Sequence, residues 1–470
     1  MFRRREQLTP PAWQYKADGF LARHFSGETL DYRQIIQIIL PILVDQAFLV
    51  CMNVVNTVMI SSSGMAAVGA VNIVDTLNLF LVSIFIAVAT GGSVVVAQYK
   101  GRRNEEMVPK AVAGSITVVL LLAAGISVLL MCFHGPVLGF LFRDAQADVI
   151  YNARIYLIGS CLSYSGIAVM EAVCGSLRGI GETKSSLMLS LIMNITYILC
   201  NVILIKLLHM GVMGMAISVN IARYFAALCA MLFLIRRNQT LNFKVHDMIH
   251  FDGAMLKRTL NIGLPFASEQ MFFNGGKILT QTFIVSLGTL AMATNAICSS
   301  IAALFMIPAN ALALSVVTVV GQCIGRKDLA QAKKLVRSFQ ILTSAAFVVM
   351  AIFMLPFFQG LVALFHPPKE IIPNIYLILL INSIAQIPFW AGSFLVPAAL
   401  RAGGDSKYTS VMSMLSMWLF RVVLGYTLGI VLPFGILGFW IAMDCEWGVR
   451  CIIFELRFRG HKWYKHKVID

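Results

Sequence analysis

The sequence predicts an all-α polytopic membrane protein whose twelve transmembrane helices form two six-helix bundles of parallel topology. Mean hydropathy is +0.81, with 59% of residues hydrophobic and 13% charged, whereas roughly a quarter of residues are charged in soluble domains. Apolar runs of about 20 residues, enough to cross roughly 30 Å of hydrocarbon, recur along nearly the whole chain. Four short motifs of the first half return in the second half at an offset of 223 or 224 residues.

Taken in order, the apolar runs lie near 35–60, 68–97, 111–133, 150–175, 185–208 and 211–235, then 259–287, 291–321, 336–358, 371–398, 408–432 and 435–456. The segment 1–34 opens with Arg3, Arg4 and Arg5 but has no short apolar core before Tyr32, so it reads as a polar cytoplasmic lead-in, not a signal peptide. Residues 35–236 make the first lobe, 237–256 a polar cytoplasmic linker, 257–458 the second lobe and 459–470 a basic cytoplasmic tail. Nine of the ten cysteines fall in the apolar runs and Cys323 lies two residues beyond one, without a C-x-x-C pair, and all read as packing residues.

The duplicated motifs sit at matching places in the two lobes. Leu40-Pro41 with Asp45, Gln46 and Phe48 returns as Leu264-Pro265 with Glu269, Gln270 and Phe272. Gln98, Gly101, Arg102 and Arg103 return as Gln322, Gly325, Arg326 and Lys327. The run Leu177-Arg178-Gly179-Ile180-Gly181-Glu182-Thr183-Lys184 returns as Leu400-Arg401-Ala402-Gly403-Gly404-Asp405-Ser406-Lys407, and Gly211 and Gly214 return as Gly435 and Gly438. A near-constant offset over four separated anchors marks an internal repeat. The net charge of +15 would suggest nucleic acid in a soluble chain. Here most Lys and Arg fall in alternate loops and both termini, which places those segments inside and predicts no nucleic-acid partner. Six spans return the chain to its starting side, so the copies run parallel.

The paired Leu-Arg-Gly/Ala-x-Gly-Glu/Asp-Thr/Ser-Lys elements, the Gln-x-x-Gly-Arg elements, and the C-terminal Trp440-Ile441-Ala442-Met443 with Glu446, Trp447 and Arg450 resemble the multidrug and toxic compound extrusion (MATE) transporters of bacteria. The resemblance covers about 35–463. It implies a V of two bundles around a central cavity that opens alternately to either face, and export of organic cations or drugs in exchange for protons or sodium ions. It also implies a multi-pass protein of the plasma (inner) membrane, acting as a monomer on a small-molecule substrate, with no cofactor besides the coupling ion.

Intramembrane acids usually mark ion or substrate paths. Asp45 and Glu269 each stand one helical turn beyond a proline that frees a backbone carbonyl, which makes them the leading ion-coupling candidates, with Glu171 beside them; a structural role for each stays open. Where many MATE proteins carry acids in the first and fifth spans, this chain has Asn56 and Asn201, amides that can coordinate but not titrate. Arg421 and Arg450 are expected to tie helices to Asp444 and Glu446, and Arg178 and Arg401 to hold their loops at the headgroup level. Substrate contacts are expected from Gln270, Asn274, Lys277, Asn295, Gln386 and Trp390. Lys277 calls for an acid on another span, and if it faces the cavity it repels cations. It therefore keeps a second reading alive: a flippase or exporter of a lipid-linked or anionic substrate. A membrane-embedded transferase is the third reading. The sequence has neither a G-x-x-x-x-G-K-[ST] loop nor an H-E-x-x-H motif, and the duplication points to transport and not to an enzyme.

Overall fold

The computed structural model describes residues 19, 22–61, 65–141, 147–236, 243, 244, 246–249, 253–354 and 356–469, with side chains for these apart from 53–61, 65–70, 72, 140, 141, 147, 248, 249 and 354. Every regular element among them is helical, as a lipid-embedded chain requires, since each backbone N–H and C=O must pair within its own segment. The first lobe comprises α1 (Tyr32–Ser61), α2 (Met65–Gly101), α3 (Met107–Cys132), α4 (Ala147–Ile180), α5 (Thr183–Asn201) and α6 (Gly211–Arg236). The second comprises α7 (Gly253–Ser286), α8 (Thr289–Phe305) with α9 (Ile307–Gly325), α10 (Leu329–Met354), α11 (Ile372–Trp390) with α12 (Val396–Ala402), α13 (Ser406–Ser416) and α14 (Gly435–Arg459). Among the described residues, ten helical segments are long and apolar enough to cross a membrane. The other two, α7 and α14, have 34 and 25 residues, and they carry the charges around which the second lobe is built.

Local chemistry accounts for the departures from straight helix. Pro41 and Pro265 lie inside α1 and α7, which run through them unbroken. The eighth span is split at Met306, where Pro308 starts α9, while its counterpart α2 is continuous. Wider π turns follow α5 (Val202–Leu207), join α11 to α12 (Ala391–Leu395), and continue α13 (Met417–Leu424 and Thr427–Val431).

The repeat is reproduced in backbone detail. In each copy the glycine of the fourth-span turn takes a left-handed φ, +92° at Gly181 and +96° at Gly404, a region closed to most L residues. The amide of Glu182 bonds the Leu177 carbonyl, and that of Asp405 the Leu400 carbonyl. The next hydroxyl then reaches the first span of its own lobe: Thr183 Oγ1 donates to the Gln37 carbonyl at 3.1 Å and Ser406 Oγ to the Ile262 carbonyl at 2.7 Å.

The lobes cross at the end that carries Arg102, Arg178, Arg326 and Arg401. Gln98 Nε2 donates to the Ala402 carbonyl at 2.7 Å, and its repeat partner Gln322 donates to the Gly179 carbonyl, the counterpart of Ala402, at 3.0 Å. Thr318 adds a bond to the Arg178 carbonyl, and Arg258 one to the Tyr99 hydroxyl. Glycine sets the closeness: a Cβ on Gly101 would stand 2.0 Å from the Gln322 carbonyl oxygen, and one on Gly325 would stand 2.0 Å from that of Gln98. Farther along, Gly91 packs on the Gly263 backbone, and Asn274 Nδ2 reaches Ser83 Oγ at 3.1 Å.

The segment just before α1 and the segment after α14 both dock on the second lobe. Ahead of α1, Thr29 bonds Asp328 and Gln331, the Leu30 carbonyl accepts from Gln331, the Ser26 and His24 carbonyls accept from Lys334 and Ser338, and Phe25 meets Phe339 edge-on at 6.0 Å. The expected polar lead-in is thus, over these residues, a strap from the first lobe to α10. At the other end Trp463 is fully buried, its Nε1 donating to the Phe458 carbonyl, and Arg457 and His466 flank Asp405 at 2.7 and 3.3 Å.

The crossing predicts an asymmetry between glycines. Gly101→Ala forces carbonyl and Cβ apart and should lower stability by about 1–3 kcal/mol. Gly275→Ala, whose Cβ meets open space, should leave stability unchanged or slightly raised. Thermal unfolding of both variants in detergent checks this; equal effects would refute the crossing geometry.

Candidate ion-coupling network and substrate cavity

Glu269 sits on α7 one turn after Pro265 with 5% of its surface exposed. Arg401 approaches its Oε2 at 3.2 Å, Ser410 Oγ donates to the same oxygen at 3.1 Å, and Arg450 lies 3.9 Å from Oε1. Arg450 also binds Glu446 at 3.2 Å and Ser413 at 3.0 Å, while Arg421 approaches Glu446 at 2.6 Å. Three buried arginines therefore share two carboxylates, an arrangement stable only while each charge keeps its partners. Two expectations change. Arg401 points inward to Glu269 and does not hold its loop at headgroup level. Of the two acids expected to hold Arg421 and Arg450, Glu446 does so within 4 Å and Asp444 does not, because Asp444 faces α11, where Asn382 Nδ2 donates to its Oδ1 at 2.8 Å and Gln386 in turn donates to Asn382. Asp444 Oδ2 is buried without a hydrogen bond among the described residues.

The first lobe repeats this plan with different strength. Arg178, the counterpart of Arg401, lies 3.8 Å from Glu171 and bonds Ser186. Arg178 and Ser190 face the Asp45 carboxyl, whose Oδ1 is buried and unbonded. Asn201 ends α5 with 1% exposure and both amide atoms outside hydrogen-bond geometry, although the Tyr197 hydroxyl faces it. Asn56 lies outside the residues whose side chains are described. Asp75 accepts from Tyr156 at 2.8 Å and from Asn78 at 3.2 Å, and Asn78 in turn is held by Tyr164 and Ser160.

A cavity of about 520 Å³ opens between α7, α8, α11 and α14. Of the six expected substrate contacts, Lys277, Asn295 and Trp390 line it. Gln386 is buried against Asn382, Asn274 is engaged across the lobes with Ser83, and Gln270 stands off the wall. Lys277 finds no acid within 4 Å among the described residues; its ammonium lies 4.8 Å from the centroid of the Phe273 ring. Arg421, expected only as a structural charge, also lines the cavity, with Gln281, Phe394, Trp440 and Trp447. Asn295 is oriented by Trp440 Nε1, which donates to its Oδ1, and by Gln281, which accepts from its Nδ2, both at 3.1 Å. The repeat duplicates an arginine as well as an acid: Arg401 pairs with its lobe's duplicated acid, Glu269, while Arg178 pairs with Glu171 and faces Asp45.

A family model described as MatE matches residues 41–204 and 265–427, once in each lobe. The chain is 28% identical over 434 residues to the "Uncharacterized transporter YisQ" of Bacillus subtilis, covering 90% of this chain and 93% of that one. It is 22% identical to the "Probable multidrug resistance protein NorM" of Thermotoga maritima, over 93% and 94% of the two chains. A solved structure described as "Outward-facing conformation of a multidrug resistance MATE family transporter of the MOP superfamily" superposes with a TM-score of 0.83 at 18% identity, covering 91% of this chain and 94% of that one. One described as "Crystal structure of MATE in complex with MaL6" also gives 0.83 at 18% identity, covering 91% and 95%.

Glu446→Gln leaves Arg421 and Arg450 buried with one carboxylate fewer, and should cost about 3–5 kcal/mol. Asp444→Asn removes no ion pair and should cost much less. Melting temperatures of the two purified variants decide between this pairing and one centred on Asp444.

Proposed function

Because the chain belongs to the MatE family of multidrug transporters, multi-pass proteins of the membrane, we propose that it is a secondary active exporter. It moves small amphipathic compounds outward by alternating access, in exchange for protons or sodium ions. The observation that carries the reading is the doubled path from an intramembrane acid to the opposite lobe. Glu269 holds Arg401, the next residue Ala402 accepts from Gln98, and Gln98 belongs to the other lobe. Asp45 faces Arg178, the next residue Gly179 accepts from Gln322, and the lobes are reversed.

A proton or sodium ion arriving at Glu269 weakens its attraction for Arg401 and so frees the turn on which Ala402 sits. The two glutamine bonds are worth about 0.5–1.5 kcal/mol each. An ion that binds one state a few kcal/mol more tightly than the other can therefore move the population between them. With the basic loops and both termini cytoplasmic in the plasma membrane, the crossing closes the inner face and the cavity communicates with the outside. The resemblance implies an organic cation as substrate, the reading first made from the sequence; the charges on the cavity wall favour the anionic alternative, since Lys277 and Arg421 line it and no acid does.

Purified protein in liposomes, loaded with ethidium or with an aromatic carboxylate and driven by a proton or a sodium gradient in turn, tests the exporter. Asp45→Asn and Glu269→Gln should each cut gradient-driven flux at least about tenfold, and Asn56→Asp should change its pH dependence more than its affinity. Flux that survives in both acid variants would move coupling to Glu171 or Asp444. No gradient-driven flux of either compound would reject the exporter.

A further inference from the structure

We propose that the second-lobe cavity binds an aromatic organic anion, with the Lys277 ammonium taking its carboxylate or sulfonate. The identification of that ligand as the transported substrate rests on the exporter reading above; the site itself does not.

Charge is the first argument. Of the residues lining the cavity, two are charged, Lys277 and Arg421, and both are cationic. The nearby carboxylates are turned away and already held. Glu446 is wholly buried between Arg421 and Arg450, and Asp444 is buried against Asn382. Arg421 thus brings its own counter-ion to the wall, whereas Lys277 has no carboxylate within 4 Å among the described residues and is open to the cavity. An ammonium that faces a cavity with no carboxylate in contact attracts negative charge there, and an anionic ligand supplies it.

The aromatic faces give the second argument. Two of the cavity's rings, Phe273 and Phe394, already serve the protein's own cations. Lys277 and Arg421 lie 4.8 and 5.2 Å from the same Phe273 ring, and Arg450 lies 4.7 Å from Phe394. Trp390 stacks on Phe394 at 5.0 Å, and Trp447 meets Phe394 edge-on at 5.9 Å. A cation entering here would meet occupied rings and two like charges. The flat apolar walls remain available to the ring of a ligand whose charge is negative, and Gln281 and Asn295 add amide groups beside them. A volume of about 520 Å³ holds a single molecule of drug size.

The test compares two probes that share a ring system and differ in charge, 2-naphthoate and 2-naphthylmethylammonium, by calorimetric titration of the purified full chain in detergent. The wild type should bind the naphthoate at least about tenfold more tightly than the ammonium. Lys277→Gln should weaken naphthoate binding by about tenfold or more, the scale of a lost charged hydrogen bond, and Lys277→Arg should retain it. Unchanged melting temperatures show that the variants fold. Equal or tighter binding of the ammonium, no saturable naphthoate binding by the folded wild type, or indifference of naphthoate affinity to Lys277→Gln would each overturn the proposal. Gradient-driven uptake of naphthoate and of ethidium into liposomes separates the two readings: naphthoate bound through Lys277 with neither compound moved refutes the exporter and leaves the site standing, and naphthoate bound but not moved beside transported ethidium refutes only its identification as the substrate.

Discussion

Two glutamines, Gln98 and Gln322, join the halves of the molecule by reaching to the same position of the opposite repeat. Each bond is short-range and needs backbones close enough for a side-chain amide to span the gap, which is why glycine stands at 101 and 325. The Leu-Arg-Gly/Ala-x-Gly element has three tasks at adjacent atoms. Its arginine meets an acid of its own lobe, the following carbonyl receives the other lobe's glutamine, and the hydroxyl two residues after the left-handed glycine ties the fifth span to the first. A substitution anywhere in this element disturbs all three.

The lobes share this framework and differ in what they bury. The first holds fewer ions, with Asp75 clasped by Tyr156 and Asn78, Arg178 beside Glu171, and the buried amide of Asn201. The second concentrates ions: Lys277, Arg401, Arg421 and Arg450 against Glu269, Asp444 and Glu446. In a medium that cannot solvate them these charges must satisfy one another, and the cationic ones outnumber the acids by one. That imbalance falls on the cavity wall, where Lys277 stands, so the electrostatic character of the pocket follows from how the lobe balances its interior.

Much of the fold was legible because lipid imposes a simple rule: an apolar run of sufficient length is a helix, and a motif repeated at a fixed offset is a repeated place. The same rule hides the site. Spans that are apolar on every side give no periodic signal of which face points where, so a sequence cannot tell that Asp444 turns to Asn382 while Glu446, two residues later, turns to Arg421. Gln386 and Asn274 have polar side chains at the expected depth yet spend them on neighbouring helices, whereas Lys277, Asn295 and Trp390 face the cavity. The inward aim of Arg178 and Arg401 was readable in principle, since the repeat doubles acid and arginine together, but basic residues at span ends are so commonly topological that this meaning concealed the other.

The strap ahead of α1 ties the order of synthesis to the completion of the fold. Residues 24–30 leave the ribosome well before their partners at 328–338, which lie about 300 residues later in the chain. The strap therefore has no docking place until eight spans and the first turns of the ninth have been made. Its attachment marks the point at which the two repeats have found one another, closing a loop that encloses all of the first lobe and the beginning of the second.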